Sequence, residues 1–326
     1  MKGVSIVICC FNSSQRLPDT LYHISKQKVL VNLNWELIIV DNNSTDDTLQ
    51  IAYDECKKRL LNLNFKIVSE VVQGLSAARL RGALEAKYDF LLFCDDDNWL
   101  SENYVSTAFE KMNSHHQIGI LGGRGEAVST STTNFPKWFA AVENSYAVGK
   151  PLTESGDATS RKYLWGAGIV IRKKLYFNAH KNNPSLLIGR KGEDLSSGED
   201  AELCARAILL GYTLHYEEQL HFKHFILPER LTKTYFKKLI AGHKASYDLI
   251  KYYWHYIDYI NQPQYVKWEI IKESIYRIIL SFIKPQNHSR KYYYLQMYFA
   301  WRKFNFQRAN SYKNILQKFK LITQYT

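Results

Sequence analysis

The chain has 326 residues, 46% hydrophobic and 23% charged, with a formal net charge of +12. That is ordinary globular composition, with no internal repeat or low-complexity tract, and its length suits one large domain or two smaller ones. No run reaches the 18 apolar residues a transmembrane helix needs. Five cysteines in apolar or helical context, without a CxxC pair or a Cys/His metal spacing, read as reduced buried thiols and imply a reducing cytoplasm.

The elements follow in chain order. Val4–Cys10 is a β-rich run, too short and without the cleavage region of a signal peptide, and reads as a first strand. A helical pattern covers Leu17–Gln27. Trp35–Val40 is a second strand, ending in Asp41-Asn42-Asn43-Ser44-Thr45-Asp46, where Ser44 or Thr45 can cap a helix from Asp47 towards Leu61. Phe65–Val68 is a third strand, Gly74–Ala86 a helix, and Tyr88–Cys94 a fourth strand, apolar throughout as for a parallel strand covered on both faces. This alternation predicts an α/β fold with right-handed βαβ units and a doubly wound, mostly parallel, Rossmann-like sheet. Gly122–Gly125 and Ser129–Thr133 read as loops, GIVIR within Tyr163–Arg172 as a strand, and Ser185–Gly198 as a Gly-rich connection. Glu199–Leu210 reads as an amphipathic helix stopped by Gly211. Beyond Pro228, residues 234–259 and 266–284 have helical periodicity.

In open sheets of this kind ligands bind beyond the carboxyl ends of the strands. Cys10-Phe11-Asn12, Asp41-Asn42 with Asn43, and Asp95-Asp96-Asp97 should therefore share one rim. Three adjacent carboxylates repel one another, and a divalent Mn²⁺ or Mg²⁺ relieves them; such ions take one or two carboxylates plus substrate phosphates. Asp95 and Asp97, first and third of an extended triplet, would point to one side. An acidic surface turn or a helix N-cap is the bland alternative, weakened by the apolar strand the triplet ends.

The set VSIVICCFN, ELIIVDNNSTDDT, GLSAARLRGAL, FLLFCDDD, WGAG and SSGEDAELCARAILLGY resembles, in order from Val4 to Tyr216, a family 2 glycosyltransferase with the GT-A fold. The resemblance implies an inverting, metal-dependent enzyme that moves a sugar from a nucleoside-diphosphate sugar, UDP-sugar favoured. The acceptor would be a hydroxyl of a saccharide or lipid-linked molecule, in surface polysaccharide biosynthesis. By position, Asp41 matches the residue on the nucleotide base. Asp97 matches the metal ligand, and Asp95 the group on the ribose or the metal's waters. Arg79 faces the phosphates, Trp165-Gly166 lines the sugar and acceptor pocket, and Asp200, next to Glu199, matches the catalytic base. His224 fits the position of a late histidine on the metal or diphosphate, with a structural histidine as its alternative. Relatives carry Pro at the place of Cys9 and Asn at that of Leu80, which leaves donor identity open.

The chemistry agrees with that pattern. A metal on the departing diphosphate stabilises its charge without proton transfer. The attacking hydroxyl needs a general base, and the N-terminal helix dipole would keep Asp200 ionised. A single base opposite the leaving group gives inversion. Glu199-Asp200 alone is equally ordinary first-turn helix charge. Lys223, Arg230 and Lys233 read as a solvated charge cluster rather than a phosphate clamp. No GxGxxG follows the first strand, against a dehydrogenase, and no Gly-rich basic loop follows it, against a nucleotidyltransferase. A catalytically inactive sugar-nucleotide-binding or scaffold protein is the non-enzyme alternative.

The basic excess lies at the C-terminus. From Ile240 to Thr326 there are 14 Lys/Arg against 4 Asp/Glu, with 13 of the 23 tyrosines. The sequence thus divides into a catalytic domain, residues 1–228 (nucleotide-sugar half about 1–100, acceptor half about 101–228), and a basic, Tyr-rich helical extension, residues 229–326. That extension suits either a helical cap or a peripheral face on anionic lipid at the inner face of the plasma membrane. It carries no nucleic-acid-binding motif.

Overall fold

A computed structural model describes residues 1–180, 185–187, 189–190, 195 and 197–261, together with Lys272 and Ile275. The chain divides into two compact units, Met1–Tyr247 and Asp248–Thr326. The boundary expected at Pro228 thus falls inside the first unit, where Pro228–Leu231 forms a single 3₁₀ turn. The aromatic, basic stretch 266–284 lies outside the described residues.

In chain order the first unit runs β1 (Val4–Cys10), α1 (Leu17–Ser25), β2 (Trp35–Asp41), α2 (Thr48–Arg59), β3 (Phe65–Ser69), α3 (Leu75–Glu85), β4 (Phe90–Asp95), β5 (Asn98–Leu100), α4 (Tyr104–Ser114), β6 (Ile118–Val128), β7 (Gly156–Asp157), β8 (Ile169–Arg172), α5 (Lys173–His180), α6 (Glu199–Leu209) and β9 (Thr213–Phe225). A final helix, α7 (Lys233–Asn261), begins in this unit and ends in the second. The strands form one sheet in the order β3-β2-β1-β4-β8-β6-β9-β5, with β7 paired to β9. β1 to β4 are mutually parallel, as is β6 with β9; β8 runs antiparallel to β4 and β6.

Alternation along β1 and β4 builds a core on each face. Ile6, Ile8, Leu92 and Cys94 pack with Leu17, Leu21 and Ile24 of α1 and Ala108 and Met112 of α4. Val7, Leu91 and Phe93 pack on the opposite face with Ala78 and Ala83 of α3 and Leu203 and Cys204 of α6. All residues from Phe90 to Cys94 are buried, as continuous apolarity predicted. The same alternation turns Asp95 towards α3 and α6 once the apolar run ends.

Two local expectations, and one alternative reading, are corrected. Gly122–Gly125 is not a loop but the middle of β6. A Cβ on Gly123 would lie 1.8 Å from the Leu220 carbonyl oxygen, so glycine there admits the backbone of β9 rather than a turn. At α2 neither Ser44 nor Thr45 caps the helix. Ser44 Oγ instead accepts the Asn12 amide at 3.0 Å, and the Thr45 amide donates to Asn12 Oδ1 at 2.9 Å. The first-turn amide of Thr48 donates to Asp46 Oδ1 at 3.1 Å. After the triple aspartate comes the short strand β5, not a helix.

Gly123→Ala should therefore cost about 1–3 kcal/mol as an overpacked core position. Gly156→Ala, where an added methyl meets nothing within 4 Å, should fall within about 0.5 kcal/mol of wild type. Urea or thermal unfolding of the two variants checks the contrast.

Candidate active site

Strand register brings the polar ends together. Cys10 of β1 lies beside Asp41 of β2, and Cys9 beside Asp95 of β4. The side chain of Cys10 is buried in the core, so at the rim it contributes its carbonyl, which accepts the Asn42 amide at 2.8 Å. Phe11 donates its amide to Ser13 Oγ at 3.0 Å. Asn12 and Asn43 hold left-handed conformations, φ 49° and 62°, which their short polar side chains tolerate. Asn12 ties the loop after β1 to the loop after β2; both Asn12 and Asn43 are exposed.

Asp41 is buried, and its Oδ1 has no hydrogen-bond partner. A buried acceptor without a donor carries a desolvation cost of about 1–3 kcal/mol that a bound donor group removes. Its neighbour Asn42 supplies what the sequence reading missed. The Asn42 amide donates to the carbonyls of Glu70 and Val72 at 3.0 and 2.8 Å, and its Oδ1 accepts the Gly74 amide at 2.8 Å. This fastens the wall beside Asp41 to the start of α3.

The three aspartates have three different surroundings. Asp95 is 34% exposed, and its Oδ1 lies 3.7 Å from Arg79 Nη2. Partial burial, with the nearby charge of Asp97, raises its pKa against the pull of Arg79. Asp96 points below the rim, where its carboxylate accepts Arg16 Nη2 at 2.7 Å and the Ser13 hydroxyl, and its carbonyl accepts Thr20 Oγ1 at 2.7 Å. Expected on the nucleotide sugar, Asp96 is instead engaged by the protein's own loop after β1. Asp97 is buried, with Arg230 Nη1 3.1 Å from Oδ2 and His224 Nε2 3.6 Å from Oδ1. Burial opposes its charge, but His224 and Arg230 overcome this and hold its carboxyl well below the usual range. Arg230, expected in a solvated cluster, is thus a mostly buried partner of the central acid; only Lys223 and Lys233 are exposed.

His224 and His221 part company in β9. His224 Nδ1 lies 2.7 Å from the Tyr146 carbonyl, which can only accept, so Nδ1 carries the proton and Nε2 faces Asp97. His221 points to Glu126 at 3.0 Å, away from the acids.

The opposite wall is built by α3, α6 and the WGAG loop. Arg79 is buried, with its guanidinium 5.3 Å from the Phe93 ring centre, between Asp95 and Glu199; Nη1 lies 3.6 Å from Glu199 Oε1. Burial works against its charge, but Glu199 and Asp95 hold it firmly cationic. Gly166 sits where a Cβ would come within 2.8 Å of Arg79 Nη2 and 3.4 Å of Asp200 Cβ, so a side chain there would push on the guanidinium. Its amide donates to Asp200 Oδ2 at 2.9 Å, while Oδ1 accepts the Ala201 amide at 2.8 Å. Trp165, just before it, is buried with Arg161 5.7 Å from its ring centre. Burial, then the charge of Asp200, pushes the Glu199 carboxyl up to about 7.

Asp95, Asp97 and His224 have the donor chemistry of an Mg²⁺ or Mn²⁺ site. Among the described residues, however, no three His, Cys, Asp or Glu side chains are gathered into a complete ligand set. Asp97 beside Nε2 of His224 fits a cation whose remaining ligands are substrate phosphate and water.

A doubly wound α/β sheet with acids and a buried arginine at its carboxyl edge puts these side chains where open sheets of this kind bind ligands. The comparisons give the family. Residues 5–177 match the description "Glycosyl transferase family 2", and the chain belongs to that family. It is 28% identical over 124 residues to poly-beta-1,6-N-acetyl-D-glucosamine synthase of Staphylococcus epidermidis, an alignment covering 38% of this chain and 28% of that protein. It is 26% identical over 246 residues to the putative glycosyltransferase EpsH of Bacillus subtilis, covering 76% of this chain and 67% of that one. In fold it is similar to the crystal structure of S. aureus TarS 1-349 in complex with UDP. There the TM-score is 0.52 and identity 17%, over 96% of this chain and 75% of the other.

The contrast between neighbouring acids is testable. Asp96→Ala removes the acid that pairs the half-buried Arg16 and should destabilise by about 1.5–3 kcal/mol. Asp95→Ala, at a partly exposed carboxylate without a hydrogen bond, leaves Glu199 to compensate Arg79 and should cost less, about 1 kcal/mol. Thermal denaturation of both variants measures the difference.

Proposed function

We propose that the protein transfers a sugar, with inversion, from a nucleoside-diphosphate sugar to a hydroxyl of a saccharide or lipid-linked acceptor in surface polysaccharide synthesis. The observation that carries this reading is the convergence on one rim of an unpartnered buried Asp41, a buried Arg79 and Asp200 locked to the Gly166 amide. Asp41 Oδ1 would accept the N–H of a nucleotide base. Arg79, with five N–H donors in a planar fork, suits a diphosphate. Its distances of 3.6 and 3.7 Å to Glu199 and Asp95 exceed hydrogen-bond reach, and a phosphate oxygen would draw those donors closer.

Family membership supports the transferase class. A uridine nucleotide is favoured because solved structures of the similar-fold TarS carry UDP or UDP-GlcNAc. The polysaccharide context is supported by the poly-beta-1,6-N-acetyl-D-glucosamine synthase, and a lipid-linked acceptor by the "GalNAc(5)-diNAcBac-PP-undecaprenol beta-1,3-glucosyltransferase" of Campylobacter jejuni, 30% identical over half of this chain. Asp97 and His224, with Asp95 near, would hold a Mn²⁺ or Mg²⁺, which when bound supplies Lewis-acid stabilisation to the leaving diphosphate.

The chain's own groups would do the rest. Two N–H bonds fix the Asp200 carboxylate at the first turn of α6, where helix amides favour its ionised form. The acceptor hydroxyl gives its proton to Asp200 as its oxygen attacks the anomeric carbon. The bond to the diphosphate oxygen breaks on the opposite side, and Arg79 receives the charge that develops there. Gly166, held against both residues, keeps base and cation at a set separation.

Asp200→Asn preserves size and the Gly166 contact but cannot take a proton. It should lower the rate of sugar transfer by roughly 10²–10⁴ while UDP affinity changes less than about threefold, within half of the 1.4 kcal/mol that separates tenfold steps. Transfer from UDP-sugars and UDP titration calorimetry measure the two effects; undiminished transfer would remove Asp200 from the base role.

A further inference from the structure

Glu199 is not needed as a second base, yet its side chain, at the start of α6, is only 13% exposed. Gly189 closes over it so tightly that a Cβ there would lie 2.8 Å from its carboxyl carbon. Its Oε2 has no hydrogen-bond partner, while its own backbone amide and the long ion pair from Oε1 to Arg79 steady the carboxylate. The charged groups facing it from the surrounding elements are Arg79 of α3, Asp200 beside it on α6, and Arg190. Asp95 of β4 shares Arg79 from the far side, and His243 of α7 faces Asp200 and Arg190. Arg79 is therefore the principal cation keeping a buried Glu199 ionised, and it is also the group best placed for a diphosphate.

We infer that Glu199 is a positioning residue that holds Arg79 in the empty site and takes up a proton from solvent when a nucleoside diphosphate captures that arginine. The inference rests on the nucleotide-sugar reading of the rim. Arg79 stays protonated throughout; its fork swings its hydrogen-bonding to the phosphate oxygens. Glu199, buried against Asp200 with its cation withdrawn, becomes a neutral carboxylic acid, the cheaper state for an unpaired buried group. One proton enters from bulk for each diphosphate bound, and it leaves when product departs and Arg79 returns.

The sign of the pH effect follows. Burial and Asp200 already bring the Glu199 carboxyl up to about 7 in the empty site. Losing Arg79 raises it further. Binding therefore takes up protons most strongly just above neutrality, where the empty site is largely ionised and the filled one is not. Diphosphate affinity then falls as pH rises through that range.

The experiment is calorimetric titration of the full chain with UDP, GDP and CDP at pH 8, each in HEPES and in Tris, whose ionisation enthalpies differ. The slope of apparent enthalpy against buffer enthalpy counts protons. Wild type should take up between roughly half and one proton per diphosphate bound, within the ordinary one-group limit of linkage. Glu199→Gln should bind the same nucleotide with that uptake lost. Proton release or no exchange by wild type, or an uptake unchanged in Glu199→Gln, would overturn the inference while leaving the nucleotide site intact. If none of the three diphosphates binds wild type, the donor-site reading fails and the inference fails with it.

Discussion

A buried guanidinium at the end of a sheet sets the terms for this site. Arg79 lies inside the protein between carboxylates of β4 and α6, over the ring of Phe93. A cation in such surroundings persists only if acids or a ligand compensate it. Asp95 and Glu199 do so at distances that hold the charge without using up its donors. The fold must therefore bring α3, β4, α6 and the WGAG loop to one point, and glycines at 166 and 189 let the backbone come close enough.

The second cation–acid cluster, Asp97 with His224 and Arg230, has a different character. Its members come from the turn after β4, the end of β9 and the 3₁₀ turn that follows it, so it ties the last strand of the sheet to the acidic corner. Below both, Asp96 binds Arg16 and Ser13 and so fixes the loop after β1. Three successive aspartates thus escape mutual repulsion by facing three different cations: Arg79, Arg16 and Arg230.

Much of this was legible in the chain. Strict apolar runs marked β1, β2 and β4, and the acids that ended them fell on one rim because parallel strands put like ends together. Asp200 and Gly166 were expected together and are hydrogen-bonded. What the sequence hid were partners far along the chain: Arg16 is 80 residues from Asp96, and Arg230 is 133 from Asp97. Without them Asp96 read as a ligand contact and Arg230 as solvated charge. Gly122–Gly125 misled for a related reason, since glycine signals a turn unless a neighbouring strand, here β9, is known to press against it.

The most direct measurement is a crystal structure of the full chain soaked with UDP and Mn²⁺. The account predicts the diphosphate within hydrogen-bond reach of Arg79, the base N–H on Asp41 Oδ1, and the β-phosphate end opening towards Asp200. UDP bound away from the ends of β1, β2 and β4, or Arg79 making no contact with phosphate, would contradict it.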